Sequence, residues 1–291
     1  FLQKNFDILK NIICVKTNLI VRIALAQAPS EIGNVKKNWE TAKNYIERAA
    51  KAKANIVVFP ELFLQGYLAN EAFADKAIAL PELIQDEMIQ LSQKLKLFIV
   101  MGLARADHDF PHLVYNSALI TSDDGQTTIY DKIHLGTYGK YVEGCFFAPG
   151  QKITTTKTPF GEIGVEICSD MAFPEMARVL ALKGAILNIV MSAGPDEFKH
   201  VWPSLLMVRS LENVFFTAYV NTVGEQNGVN FFGGSRIIDP SGKTVARAPM
   251  NKPFLLVKDI NLSEVKKLRR QRLLFRDRIP ALYQPILENL N

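Results

Sequence analysis

Cys168 closes the apolar run GEIGVEIC and is followed at once by SDMAFPE, so a thiol stands where a strand ends and a helix is set to begin. Two more ionisable groups hold comparable places, Glu61 after the apolar run IVVFP and Lys132 at the end of TTIYDK. A sheet that gathers these strand ends at one edge brings a thiol, a carboxylate and an amine together. A thiol in that setting is a reagent, because the thiolate is the nucleophilic form and charged neighbours decide how readily it appears.

Each residue also has a plainer reading. A buried free cysteine is normally a small inert hydrophobe. At Cys168 the expected helix N-terminus argues against inertness, since its unpaired N–H groups favour a thiolate and can hold an oxyanion. The alternation in GVEIC puts Glu166 and Cys168 on one face and Val165 and Ile167 on the other. Glu61 could be a hydrogen-bonded structural carboxylate, but burying it unpaired would cost several kcal/mol, so it needs a partner or a task. Lys132 alone reads as a solvated strand-end lysine, and His134 two residues on makes a Cys–His pair the rival arrangement. His108 and His112 have a metal-pair spacing only on a helix, and Phe110-Pro111 breaks that helix into a loop.

The elements that would hold these residues follow from the apolar patterning. Eleven short runs rich in β-branched and aromatic residues read as strands: 21 to 27, 55 to 59, 96 to 103, 114 to 121, 126 to 132, 161 to 169, 185 to 192, 213 to 221, 232 to 239, 243 to 248 and 253 to 260. Amphipathic stretches at 34 to 54, 80 to 95, 174 to 184, 201 to 214 and 262 to 272 read as helices, with Asn34 as a cap and Pro174 in a first turn. Asp124-Gly125 and Asp239-Pro240-Ser241-Gly242 read as hairpin turns, so the sheets are mixed. The pattern predicts an α/β fold, a four-layer α-β-β-α sandwich of two mixed sheets packed face to face with helices outside.

Composition narrows the classes. With 291 residues, 48% hydrophobic and 22% charged, the chain can bury one large core. No linker, repeat or low-complexity tract divides it, so residues 21 to 291 read as a single domain and residues 1 to 20 as a peripheral arm. A net charge of +5 is too small and scattered for nucleic-acid tracking, and the basic run at 266 to 276 reads as a solvated helix face. The three cysteines, Cys14, Cys145 and Cys168, lack any C-x-x-C spacing, so neither a disulfide scaffold nor a cysteine zinc site is expected, and a reducing cytoplasm fits. No apolar run is long enough to span a bilayer. Neither metal nor nucleotide cofactor is expected, and Asn230 to Ser235 reads as a crowded strand start rather than a phosphate loop.

Four segments in order, FPELFLQGY around Glu61, YDKIHL around Lys132, EGCFFAPG around Glu143 and GVEICSDMAFPE around Cys168, resemble the carbon-nitrogen hydrolase family, the nitrilase superfamily. The likeness continues through RSLENVFFTAYVNTVG and FFGGSRIIDPSGK and covers about residues 21 to 285. The resemblance implies the same four-layer sandwich, joined into homodimers or higher homo-oligomers, with helix 174 to 184 and the C-terminal PALYQPILENLN as candidate subunit contacts. It implies Cys168 as nucleophile, Glu61 as general base, and Lys132 with the Ser169 backbone N–H as oxyanion donors. Glu143 would orient the substrate nitrogen or the incoming water. Tyr67, Phe173 and Ala193 are expected around the substrate. Attack of sulfur on an amide needs a deprotonated thiol, a stabilised oxyanion and a protonated leaving ammonia, which this set can supply.

Selectivity in the family is shaped just after the nucleophile, here Ser169, Asp170, Met171, Ala172 and Phe173. Nitrilases typically carry Cys-Trp-Glu at this point, whereas Cys168-Ser169-Asp170 is similar to the amidase and carbamoyl-hydrolase branches. Members that grip a substrate carboxylate tend to place Arg or His in these positions, and none is here, although Arg178 and Lys183 follow on the helix. A small uncharged aliphatic amide is therefore the expected substrate. The alternatives are an N-carbamoyl amine, a nitrile, or a silent binding protein on the same fold.

Overall fold

The computed structural model describes residues 19–67, 82–139 and 141–288. Residues 1 to 18 of the expected N-terminal arm, Cys14 among them, the first two residues of the helix expected at 80 to 95, and the last three residues of the C-terminal segment lie outside the described residues, whereas Ile20 of the expected arm already belongs to the first strand.

Two six-stranded mixed sheets form the centre. The first has the order β16-β1-β2-β3-β4-β5, built from β1 (Ile20–Gln27), β2 (Ile56–Val58), β3 (Phe98–Ala106), β4 (Val114–Thr121), β5 (Thr127–Asp131) and β16 (Phe254–Asn261). The second has the order β15-β14-β11-β10-β9-β8, from β8 (Thr155–Thr158), β9 (Gly161–Ile167), β10 (Leu187–Ser192), β11 (Phe216–Asn221), β14 (Arg236–Ile238) and β15 (Thr244–Arg247). Strands β1, β2 and β3 run parallel, as do β9, β10 and β11, and the outer strands pair antiparallel.

Period-two alternation sorts side chains into layers. In β1, Ile23 and Leu25 join the core between the sheets with Ile163, Val165, Ile167 and Ile189, whereas Ala24 and Ala26 face outward. On that outer side lie α1 (Val35–Lys51) and α2 (Glu82–Leu95), which bury Trp39, Ala42, Ile46 and Met88 against the first sheet. Asn34 caps α1 by accepting from the Lys37 N–H, as its side chain suggests. Against the far side of the second sheet lie α3 (Pro174–Leu182) and α4 (Trp202–Asn213), the former burying Ala177 and Ala181 against Phe215. The result is the four-layer α-β-β-α sandwich expected from the pattern. The last helix, α5 (Ser263–Gln271), follows β16.

Both hairpin turns form where Asp-Gly and Asp-Pro-Ser-Gly stand, with Gly125 and Gly242 at positive φ and their N–H groups bonded to Ser122 and Asp239 carbonyls. Three details differ from the sequence pattern. Strand β8, TTKT, has no apolar residue and so no periodic signal, yet it pairs with β9. The strand expected from 232 starts only at Arg236, because Gly233 and Gly234 adopt positive φ and lift the chain off the ladder. The basic run is not wholly solvated, since Arg269 is turned inward and donates to the carbonyls of Ala185, Asn213 and Val214. Small hairpins β6 (Thr137–Tyr138) with β7 (Tyr141–Val142), and β12 (Val223–Gln226) with β13 (Val229–Phe232), complete the described strands.

Candidate active site

The ends of the two sheets meet, the Ala193 N–H past β10 donating to Glu61 past β2. Glu61 lies just past β2 and Lys132 just past β5, both in the first sheet, whereas Cys168 lies just past β9 in the second. The chain bends sharply at two of these points, with Leu62 at φ +47° and Cys168 at φ +51° in the left-handed region that side chains other than glycine rarely adopt. Close packing holds the first bend in place, since a Cβ on Gly102 of β3 would come within 2.0 Å of the Pro60 carbonyl oxygen. The backbone of Lys132 is held from both sides, its N–H donating to the Asn116 carbonyl and its carbonyl accepting from Gly150 N–H.

The side chains converge in a buried network. Glu61 Oε1 accepts from Lys132 Nζ at 2.7 Å and from Asn116 Nδ2 at 2.8 Å, and its Oε2 accepts from the Ala193 N–H at 2.8 Å. Lys132 Nζ also lies 3.0 Å from Glu143 Oε1 and 2.7 Å from Glu143 Oε2. Glu143 opens a short 3₁₀ turn and accepts further bonds from Tyr67 OH at 2.8 Å and Gly136 N–H at 2.9 Å. One ammonium thus sits between two carboxylates, all three essentially out of water. Although burial pulls it down, the carboxylates of Glu143 and Glu61 hold the Lys132 ammonium well above its ordinary value. Burial pushes the Glu61 carboxyl up, with Lys132 opposing and the Glu143 charge adding to the rise.

Burial also pushes the Cys168 thiol well up, reinforced by the Glu61 charge and opposed by Lys132. This corrects the expectation that a helix N-terminus favours the thiolate. A 3₁₀ turn over Cys168–Ala172 separates the thiol from α3, and burial first, then the carboxylates of Glu61 and Glu143, keep the proton on sulfur. That turn is clamped by Asp170, whose Oδ1 accepts from the His134 N–H and lies 3.0 Å from its Nδ1, and whose Oδ2 accepts from Tyr130 OH and Ile167 N–H. His134 therefore holds the back of the turn and forms no pair with the sulfur.

The cavity, of about 10 Å³, is lined by Tyr67, Tyr138, Tyr141, Glu143, Cys168, Ser169, Ala193, Pro195 and Trp202 among the described residues. Of the residues expected around a substrate, Tyr67, Ser169 and Ala193 are there. Phe173 is not: its ring lies 42% exposed and stacked on His134 at 3.6 Å, because the turn directs it to the outer rim. Asn116 and Asp170 were not singled out as site residues by their sequence context. A polar residue in the middle of the apolar run VYNSALIT was the available signal for Asn116. Elsewhere, His108 stands exposed in a loop and Cys145 is an exposed free thiol. Among the described residues no cluster of three or more His, Cys, Asp or Glu could hold a metal ion, and no helix is long and apolar enough to cross a membrane.

Residues 22–270 match the carbon-nitrogen hydrolase family. The chain belongs to that family. A probable nitrilase of Schizosaccharomyces pombe is 30% identical over 270 residues, covering 91% of this chain and 98% of its own. The crystal structure of a carbon-nitrogen hydrolase from Helicobacter pylori G27 superposes with a TM-score of 0.84 at 26% identity, covering 94% of this chain and 100% of that one. A mutant of the amidase from Nesterenkonia sp. AN1, with the acetamide moiety of fluoroacetamide covalently added at its active-site cysteine, superposes with a TM-score of 0.77 at 25% identity, covering 91% and 96%. In this carbon-nitrogen hydrolase the buried Cys168 shares its cavity with Glu143, which Lys132 joins to Glu61. Hydrolysis of a carbon–nitrogen bond is the chemistry of the family.

Proposed function

We propose that the chain hydrolyses a small uncharged aliphatic amide to a carboxylic acid and ammonia through a thioester on Cys168. The observation that carries this reading is that the buried Cys168 thiol shares a cavity with Glu143, which Lys132 joins to Glu61, so that all three charges act on the sulfur. At rest the sulfur keeps its proton, as its burial beside carboxylates requires. When an amide carbonyl enters, Glu61 takes that proton as sulfur bonds to carbon, and negative charge develops on the carbonyl oxygen. Lys132 Nζ and the Ser169 backbone N–H stabilise that oxygen. Glu61 returns the proton to the nitrogen, the C–N bond breaks and ammonia leaves. A water molecule then gives a proton to Glu61 and attacks the thioester carbon, the C–S bond breaks, and the sulfur recovers the proton with release of the acid.

Charge supports the substrate class. The cavity walls are tyrosines, Trp202, Ala193 and Pro195. Glu143 in its wall belongs to a buried cluster of two carboxylates against one ammonium. A substrate carboxylate would find no unpaired cation among the described lining residues, and leaving it unpaired costs several kcal/mol. Ammonia release from the purified protein across short amides, N-carbamoyl amines and nitriles tests the reading. Fastest turnover is expected on an amide of a few carbons, and faster turnover on a carbamoyl compound or a nitrile would overturn it.

A further inference from the structure

Glu166, two residues before the nucleophile, is fully buried and takes no part in the chemistry above. It shares a face of the second sheet with Val190 and Tyr219, its neighbours across the ladder, and with Asn188 and Thr217. That face looks toward the helices, as Gly164 shows: a Cβ there would meet Leu180 of α3 at 3.0 Å. Asn188 Nδ2 donates to Glu166 Oε2 at 2.7 Å, bridging β10 to β9. The other halves of the same two side chains, Glu166 Oε1 and Asn188 Oδ1, have no hydrogen-bond partner among the described residues.

Two buried acceptors left over on an already bonded pair are costly, at about 1–3 kcal/mol each. A single proton on Glu166 satisfies both, because a carboxylic acid and a primary amide close a ring in which each donates once and accepts once. The surrounding charges offer no alternative. Arg209 of α4, the nearest cation, spends its guanidinium on the Met171 and Ala172 carbonyls and on Glu212. The other groups facing Glu166 are Asp170 and Glu212, which oppose a second negative charge, and the Tyr130 hydroxyl, already donated to Asp170.

We propose that Glu166 is held as the neutral acid and donates its proton to Asn188 Oδ1, closing a two-point acid–amide link that ties β9 to β10 directly behind Cys168. Glu166 is thus a positioning residue. Its ionisation opens the link and places an unpaired charge beside the clamp that holds the nucleophile turn. In agreement, burial pushes its carboxyl up to about 7, against the pull of the Asn188 bond. A carboxyl raised in the fold stabilises it fully below the unfolded value, and this contribution is lost as pH rises through the folded value.

Glu166→Gln tests the link, because a glutamine amide reproduces both bonds and cannot ionise. Relative to wild type, the melting temperature of E166Q should rise by roughly 5 °C or more between about pH 5 and pH 8. Its kcat/KM relative to wild type should rise severalfold over the same interval, and the infrared difference between the two proteins at pH 6 should contain the C=O band of a protonated carboxylic acid. The thermal and infrared readouts need no substrate, so they stand apart from the amidase reading. An E166Q protein that fails to fold, a pH-independent difference in melting, or a carboxylate band at pH 6 would each overturn the proposal.

Discussion

Glu143→Gln separates two ways in which Glu143 could serve the reaction. Its carboxylate accepts from Tyr67 OH, from Gly136 N–H and from Lys132 Nζ on both oxygens, so its roughly four acceptor sites are filled by protein donors. On that geometry Glu143 acts on the substrate only through Lys132 and Tyr67. A glutamine offers one oxygen and one NH₂. The backbone N–H of Gly136 cannot turn away, so the amide oxygen must face it, and the NH₂ must face Tyr67, whose hydroxyl can rotate to accept. Lys132 then loses one of its two Glu143 contacts and the opposing charge. A bond to a charged group contributes about 1.5–3 kcal/mol, and burying an amide costs less than burying a carboxylate, so the net loss should be about 2 kcal/mol. Scanning calorimetry should show this as a melting point lower by roughly 4–8 °C. A displaced ammonium should lower kcat on a short amide by roughly 100-fold with little change in KM. Glu61, raised first by burial and further by the Glu143 charge, should fall once that charge is gone, so the acidic limb of the kcat/KM profile should move to lower pH. A kcat close to wild type with an unmoved acidic limb would refute the argument, and an effect confined to KM would show that Glu143 touches the substrate itself.

Cys168→Ala should abolish ammonia release, and mass spectrometry of acid-quenched wild type turning over an amide should show the added acyl group that the variant lacks; an active C168A protein would exclude the thioester. Asp170→Asn replaces a carboxylate that receives four contacts from His134, Tyr130 and Ile167, and should cost about 3 kcal/mol in urea unfolding, whereas an unchanged midpoint would mean the turn holds without it. Gly102→Ala would press a methyl into the Pro60 carbonyl and the Glu61 backbone, so it should cost roughly 1–3 kcal/mol and lower kcat as Glu61 shifts; full activity with wild-type stability would show the contact relaxes freely.

Glu61, Lys132 and Cys168 are legible as candidates because each ends an apolar run, where a sheet edge can gather side chains. The layers were legible because alternating β-branched runs and amphipathic stretches allow few other packings. Asn116 was hidden for the converse reason. It lies inside β4, where sequence pattern reports only strand, and its bond to Glu61 spans 55 positions. Asp170 sat in a stretch read for selectivity, yet its carboxylate turns inward to clamp the chain, a direction set by the left-handed bend at Cys168 that no residue type announces. The same bend sends Phe173 to the rim. The thiol is raised instead by its burial, which no single residue announces, and then by the two glutamates that the fold brings in from 25 and 107 positions upstream.

These distances explain why the resting site is quiet and what wakes it. Two carboxylates and one ammonium around a buried sulfur leave an excess of negative charge, so a thiolate would add a further charge and is suppressed. An incoming carbonyl changes this only at the moment of attack, when the new charge moves off sulfur onto oxygen and comes within reach of Lys132. In the proposed mechanism proton removal and bond formation are then coupled, with the buried Glu61, itself raised, as the base that accepts the proton. A substrate that brought its own negative charge into the cavity would oppose this transfer, while a neutral amide lets the excess charge act on the thiol alone. On the proposed reading the electrostatics that hold the cysteine protonated also favour uncharged substrates, and alkylation should follow that rule: iodoacetamide should label Cys168 faster than iodoacetate at equal concentration, and the reverse order would remove charge as the basis of selectivity.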